Sequence, residues 1–534
     1  IFLGMIISLY ALYEFITNSP IVWHLLEPER KPDQYLKRGT GTYICPNNLA
    51  GFLEMILPLA LAYVLAGRFK PTGKVFVGYA AIVMMAGIGI SFSRGGWLAA
   101  GLSLLFFFVV LFCSRISRLP AFVLVVLLLG GGVFFFKGYQ PQHRWRQMFR
   151  ESGVVDDVRF HLWNPAVQIW QNHYWWGGGP AHFDYRFPSV RPPEVQKRAG
   201  YAHNDYLNTL ADWGVAGTAL VASAWLLLYW GVLRCWKFVR RANDLGNKPS
   251  NRAAFVLGSA IGLFALLLHS IVDFNMQIPA NAIVAVALMA MLTGHLRFAT
   301  ERFWVSSGWT VRIGLSIVVL IGLVYLGQQG FRRVREQASL DRAERIHTRV
   351  QERTRQLADI YAAAEIDLDR SFQVSKEIND AIQEEIETLR RAHAVEPKNF
   401  ATTYKIGEAF RNLSWAGGDG YQESAREATK WFRLGMGLNP LDAYNYVRHG
   451  MCLDWLGEHA EAEPFYRRAA ELDPKSFFVT ALYGWHFFSA GEYGTAKDWF
   501  DKSIRLSGPW LDNVIAHSYT NIIGKKLQEK ASLP

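Results

Sequence analysis

From its first residue to about residue 330 the chain keeps returning to uncharged apolar runs of roughly 20 residues, the helix length that crosses a hydrocarbon core of ~30 Å. Backbone in lipid must satisfy its own hydrogen bonds, so such runs restrict this half to a bundle of membrane-spanning helices. The runs fall at 1–16, 47–66, 75–92, 96–113, 119–136, 205–233, 253–274, 278–296 and 309–327. Ile1 already lies inside a run, so the bundle is read as N-terminally truncated, with further spans expected upstream. Past about residue 330 the runs stop and the chain turns charged and helical. The expected fold class is all-α, a polytopic transmembrane bundle followed by an α-solenoid.

The net charge of +11 is not read as a nucleic-acid footprint, because membrane proteins concentrate Lys and Arg in particular loops for topological reasons. One set of short connections carries Arg68, Lys70 and Lys74, then Arg115 and Arg118, then the basic stretch 234–252, then Arg297, Arg302 and Arg312. The opposite set is poorer in net positive charge, which makes the first set cytoplasmic. Residues 17–46, the turn at 93–97, the loop 137–203 and everything past about 328 are then expected outside, although Arg332, Arg333 and Arg335 run against that orientation. Cys45, Cys113, Cys235 and Cys452 are far apart and form no CxxC, so neither a disulfide framework nor a zinc site is indicated.

The loop 137–203 interleaves bases with aromatics, among them Arg159, Trp163, Trp170, Trp175, Trp176, Arg186 and Arg191. Planar guanidinium groups suit phosphate oxygens, and flat aromatic faces suit sugar rings. Each Trp or Arg taken alone also fits an interfacial anchor. Residues 156–173 read as a helix, which Gly177–Gly179 and Pro180 end sharply. At the far end of the loop, His203 and Asn204 open an apolar helix on which Asn204, Asn208 and Asp212 form one polar stripe. On that helix Gly214 and Thr218 read as a small-residue pair for close approach of a neighbouring helix.

His203-Asn204, nine residues, then Gly214-x-x-Gly217-Thr218 resembles the signature of O-antigen ligases and the related Wzy-type polymerases. Three further pieces are similar to that family: RGTGTYICPNN from Arg38 to Asn48, SFSRGGW from Ser91 to Trp97, and RFHLW with GGGPAHF between Arg159 and Phe183. The resemblance covers about 38–220 well, and its motifs are shared by ligase and polymerase members.

It implies transfer of a glycan from undecaprenyl pyrophosphate to a lipid or glycan hydroxyl, outside the bacterial inner membrane. In such a reaction negative charge grows on the pyrophosphate, so fixed cations stabilise the transition state more than the ground state. Arg94 and Arg159 are the catalytic candidates for that task, with Arg38 a third cation on the substrate-binding side. His203 is the candidate general base. Asn204, Trp163 and Asp273 complete the candidate substrate-binding set, Asp273 and Asn275 reading equally as helix caps. No cofactor and no obligatory divalent metal is expected, in keeping with the family.

In the charged half, Gly450, Ala462, Tyr466, Ala469 and Pro474 recur 34 residues later as Gly484, Ala496, Phe500, Ser503 and Gly508. This resembles tetratricopeptide repeats, in which small residues let two helices cross and an aromatic fills the gap. One repeat earlier Gly407 comes nine residues too early, which makes 414–420 an insertion. The expected division is a membrane domain at 1–330, a helical linker at 331–396 and repeats at 397–534, the repeats offering a surface to a protein partner. Three readings stay open beside the ligase: polymerase, transfer of oligosaccharide to protein, and a non-enzymatic scaffold or transporter component.

Overall fold

The computed structural model describes residues 1–17, 35, 37–112, 158–239, 249–304, 308–508 and 512–531, apart from 364, 366 and 419, with isolated positions between 122 and 130. The span expected at 119–136, the basic stretch 143–150 and Asp156–Asp157 fall largely or wholly outside these residues. Among the described residues the regular structure is all helical, in 18 α-helices. They divide into two compact units, one of residues 1–184 and 199–305, the other of residues 185–198 and 306–534.

The first unit runs α1 (Phe2–Thr17), α2 (Pro46–Ala66), α3 (Pro71–Ile90), α4 (Arg94–Phe112), α5 (Val158–Asn172), the start of α6 (Phe183–Val190), α7 (Asp205–Val239), α8 (Asn251–His269) and α9 (Pro279–Ala299). In the second, α10 (Trp309–Ala362) is followed by α11 (Leu368–Val395), α12 (Phe400–Trp415), α13 (Tyr421–Leu438), α14 (Ala443–Trp455), α15 (His459–Leu472), α16 (Phe477–Ser489), α17 (Tyr493–Ser507) and α18 (Val514–Ala531). Seven of these, α2, α3, α4 and α7 to α10, are long and apolar enough to cross a membrane, and α1 is a shorter apolar helix.

The core of the first unit is the pair α2 and α8, whose apolar windows are mostly buried where those of the other spans are less than half buried. Their close approach is set by Gly258 and Gly262, four residues apart on α8. A Cβ at Gly262 would lie 1.9 Å from the Met55 carbonyl oxygen, and one at Gly258 would lie 2.5 Å from the Leu59 Cα. Two backbones in contact gain dispersion energy that lipid does not supply between bulkier helices.

α7 is not continuous. At Gly214 the backbone turns to φ 61°, ψ −167°, a conformation essentially confined to glycine. A break in a helix frees backbone donors and acceptors, and each must be paired again. The turn after α5 supplies the partners. Gly178 and Gly179 donate to the Ala211 and Asp212 carbonyls at 2.7 and 3.0 Å, while Val215 and Ala216 donate to the Tyr174 and Trp175 carbonyls at 3.0 and 3.1 Å. The sequence reading of Gly214 as a packing site for another helix is thereby corrected: Gly214 is where the helix breaks, and a glycine-rich turn fills the gap.

The second unit shows the 34-residue period as helix pairs. Gly450 on α14 faces the Tyr466 ring on α15, where a Cβ would lie 2.7 Å away, and Gly484 on α16 faces Phe500 on α17 at 3.0 Å. Gly407 on α12 meets Phe432 on α13 in the same way, at 2.6 Å. Phe432, Tyr466 and Phe500 are all fully buried. The glycine–aromatic contact therefore survives in the first pair, and the extra residues are absorbed around 414–420 between the two helices. Residues 331–396 belong to the antiparallel pair α10 and α11, whose apolar face continues into α12.

Replacing Gly214 by Ala puts a Cβ 2.5 Å from the Gly177 nitrogen and the Trp175 oxygen in a disfavoured conformation. The expected loss is about 2 kcal/mol or more, read as a lower thermal unfolding midpoint of the purified protein in detergent.

Candidate functional site

The site forms around the turn from Ser270 to Ile278, between α8 and α9. Asp205, at the first position of α7, ties that turn to the segment carrying His203. Its backbone N–H donates to the Ser270 and Asp273 carbonyls at 2.9 and 3.2 Å. Its carboxylate accepts from Ser270 Oγ at 2.8 Å and from the Met276 N–H at 2.9 Å. Asn204 caps α7 by accepting the Leu207 N–H at 3.0 Å. His203, one residue before the cap, is held at φ 50°, uncommon for a residue with a side chain.

The result is that Asp273 and His203, 70 residues apart in sequence, become neighbours. His203 Nδ1 lies 3.4 Å from Asp273 Oδ1, at the outer edge of hydrogen bonding. The imidazole also packs edge-on to Phe274, with 4.7 Å between ring centres, and Tyr201 stacks on the same phenyl ring. About a third of the His203 side chain (32%) remains exposed, whereas Asp273 is fully buried. With Nδ1 turned to the carboxylate, Nε2 is the ring nitrogen left for an incoming group.

Asp273 collects further partners. Asn47 Nδ2 donates to Oδ2 at 2.8 Å and Arg159 Nη2 to the same oxygen at 3.4 Å. The Phe274 N–H donates to Oδ1 at 3.0 Å, and His269 Nε2 lies 3.9 Å from Oδ2. Burial pushes this carboxyl up, but His203, His269 and Arg159 outweigh it and hold the group below the usual carboxylate range. It is closed to solvent and lies against Arg159 and His203.

Arg38 enters from the segment before α2. Its Nε donates to the Ser91 carbonyl at 2.8 Å and its Nη2 to Asn47 Oδ1 at 2.9 Å, which links it through Asn47 to Asp273. The preceding turn is fixed by buried Glu14 of α1, which accepts from the Thr40 and Gly41 backbone N–H groups at 2.9 Å. Arg94 opens α4 and is half-buried. Its neighbour Gly95 meets the His269 ring, where a Cβ would sit 2.9 Å away. Arg159 lies in the first turn of α5, and half-buried Trp163 follows one turn later, edge-on to Phe160 at 4.9 Å.

The structure thus joins Arg38, Arg159, His203 and Asp273 through one carboxylate and one amide. Asn204 serves the helix cap, and Trp163 stands on the face of the helix that brings in Arg159. Sequence reasoning missed four members. Asn47 ends the arginine pattern that begins at Arg38, and Asp205 follows the His-Asn pair directly. Glu54 accepts or donates at His269 Nδ1 over 3.0 Å, and an acid and a histidine within apolar runs were a signal in themselves. Among the described residues no group of three or more His, Cys, Asp or Glu side chains could hold a metal ion.

Residues 79–222 match the family described as O-Antigen ligase. The chain therefore carries an O-antigen ligase domain, within a multi-helix membrane protein that ends in tetratricopeptide-type repeats. The match includes Arg94, Arg159, Trp163, His203 and Asn204; Arg38 and Asp273 lie to either side of it. No curated protein matches the chain. Among solved structures, TTC0263, a thermophilic TPR protein of Thermus thermophilus, is 15% identical, over 35% of this chain and 98% of its own, with TM-score 0.26. YrrB, a TPR protein described as having an unusual peptide-binding site, is 20% identical, over 34% and 88%, with TM-score 0.22. MamA is 15% identical, over 32% and 92%, with TM-score 0.22.

Substituting Asp273 by Ala leaves Arg159 and His269 beside an uncompensated buried gap, with an expected loss of about 3–5 kcal/mol. Asp273→Asn keeps the shape and the Phe274 acceptor, so its thermal midpoint should fall clearly less than that of the alanine variant.

Proposed function

We propose that the protein transfers a glycan from undecaprenyl pyrophosphate to the hydroxyl of a lipid or glycan acceptor, on the outer side of the bacterial inner membrane. The observation that carries this reading is the shared carboxylate: His203 on one oxygen of Asp273 and Arg159 on the other. That arrangement puts a base and a cation within one side chain of each other, as bond formation and bond breakage at a single sugar carbon require.

In the proposed reaction the acceptor hydroxyl gives its proton to His203 Nε2 as its oxygen bonds to the donor sugar C1. The bond from C1 to the pyrophosphate oxygen breaks, and its electron pair leaves with the pyrophosphate. Arg159, Arg94 and Arg38 stabilise the charge that grows there. Direct displacement inverts the anomeric centre. Asp273 fixes the ring orientation and stabilises the imidazolium as it forms, as a buried carboxylate does beside a histidine base.

The outer placement draws on the loop charges, and two of the three arginines that run against it have acidic partners nearby. Arg332 pairs with Glu396, and Arg333 Nη1 with Glu336 at 2.7 Å.

His203→Ala and Arg94→Ala, expressed in the native host, should each remove the surface glycan while the protein still folds and inserts. Normal glycan with both variants would refute the enzymatic reading. The intermediates that accumulate identify the acceptor step: long chains left on the carrier indicate a ligase, and single units on the acceptor indicate a polymerase.

A further inference from the structure

Residues 185–198 belong by sequence to the loop that leads to His203, yet they fold with the repeats. Arg191 is the reason. Its Nη2 lies 2.9 Å from Asp473 Oδ2, with the two side chains 1% and 0% exposed. Its Nη1 donates to the Gln196 carbonyl at 2.6 Å, closing the segment on itself, and the guanidinium lies over the Phe187 ring.

Gln196 makes a second, independent attachment. Its Nε2 donates to the Lys475 carbonyl at 2.9 Å, and its Oε1 accepts the Phe477 N–H at 3.1 Å. Phe477 is the first residue of α16, so this is one of the free donors at a helix start, satisfied here by a side chain from elsewhere in the chain. At the ends of the segment Tyr185 packs edge-on to Phe400 at 5.4 Å, and burial pushes the Asp442 carboxyl up, an effect that the nearby Arg198 only partly opposes.

This attachment is specific without being strong. Arg191 Nε and Nη2 and both Asp473 oxygens are buried with no well-formed hydrogen bond among the described residues. Burial pushes the Asp473 carboxyl up to about 7 despite the pull of Arg191. A buried ion pair so incompletely satisfied contributes little net stability and selects one partner geometry.

We propose that the repeats are a receptor in cis: their ligand is the chain's own arginine- and glutamine-bearing segment 185–198, and its capture clamps the loop that ends at His203. The clamp lets go only five residues before that histidine. Its role in transfer rests on His203 being the base; the capture itself does not.

The test uses the full-length protein in detergent and in proteoliposomes, with Gln196→Ala and Asp473→Asn as variants. Gln196 is partly exposed, and the Asn variant is isosteric, so neither should unfold the repeats. Trypsin cleavage after Lys197 and Arg198, quantified by mass spectrometry, should accelerate roughly tenfold, because cutting requires local release of the segment. Glycan transfer should fall in parallel. Unchanged cleavage in both variants overturns the capture. Faster cleavage with wild-type transfer overturns the clamp's role. His203→Ala is the control that separates the two readings: it should abolish transfer and leave the cleavage pattern unaltered.

Discussion

A carboxylate sealed from solvent must find its counter-charges inside the protein or give up its own charge. Asp273 is met by such groups from several elements, and the local architecture is built around those contacts. Arg159 arrives on α5, His203 before α7 and His269 at the end of α8, and Asn47 brings in Arg38 from the segment before α2. Four stretches of chain bring a polar or charged group to this carboxylate, His269 at the longest distance of 3.9 Å, and a fifth, carrying Arg38, is tied to it through Asn47. The cost of burying one charge is offset by the counter-charges and donors gathered around it.

The second constraint is backbone accounting. The break at Gly214, which is buried, would be costly unless its carbonyls and N–H groups were paired again. The turn 174–179 meets that need from outside the helix. It thereby docks the end of α5 against α7, and α5 is the helix whose first turn carries Arg159. Asn208 and Asp212 reinforce the joint: Asn208 accepts the Ala202 N–H at 2.9 Å, and Asp212 accepts the Phe183 N–H at 2.8 Å. The polar stripe on this helix is consumed in holding the segments on either side of the site.

Much of the fold was legible because it rests on local, periodic signals. Apolar runs near 20 residues announce spanning helices, and a 34-residue period announces helix pairs, since both patterns repeat the same packing need along the chain. Long-range pairings leave no such trace. Nothing in the spacing of His203 and Asp273 says that they touch, and nothing in Arg191 says that its counter-ion is Asp473. Gly214 was visible as a small residue in a motif, but a helix break and a helix crossing both ask for glycine, and only the geometry of the facing turn separates them. Arg38, Arg159 and His203 could be nominated by residue type and motif. Asp205 could not, because an acid at a helix start looks like an ordinary cap, and Asn47, although it ends the arginine motif, carried no sign that it meets Asp273.

The central claim is that His203 and Asp273 act as one unit in glycan transfer. A double-mutant cycle of His203→Ala and Asp273→Asn tests it, with transfer rates measured in proteoliposomes supplied with a lipid-linked donor. If the carboxylate works through the imidazole, each single variant should lose roughly hundredfold or more, and the double variant little beyond the worse single. Independent losses that multiply in the double variant, or an Asp273→Asn protein that transfers at the wild-type rate, would contradict the account.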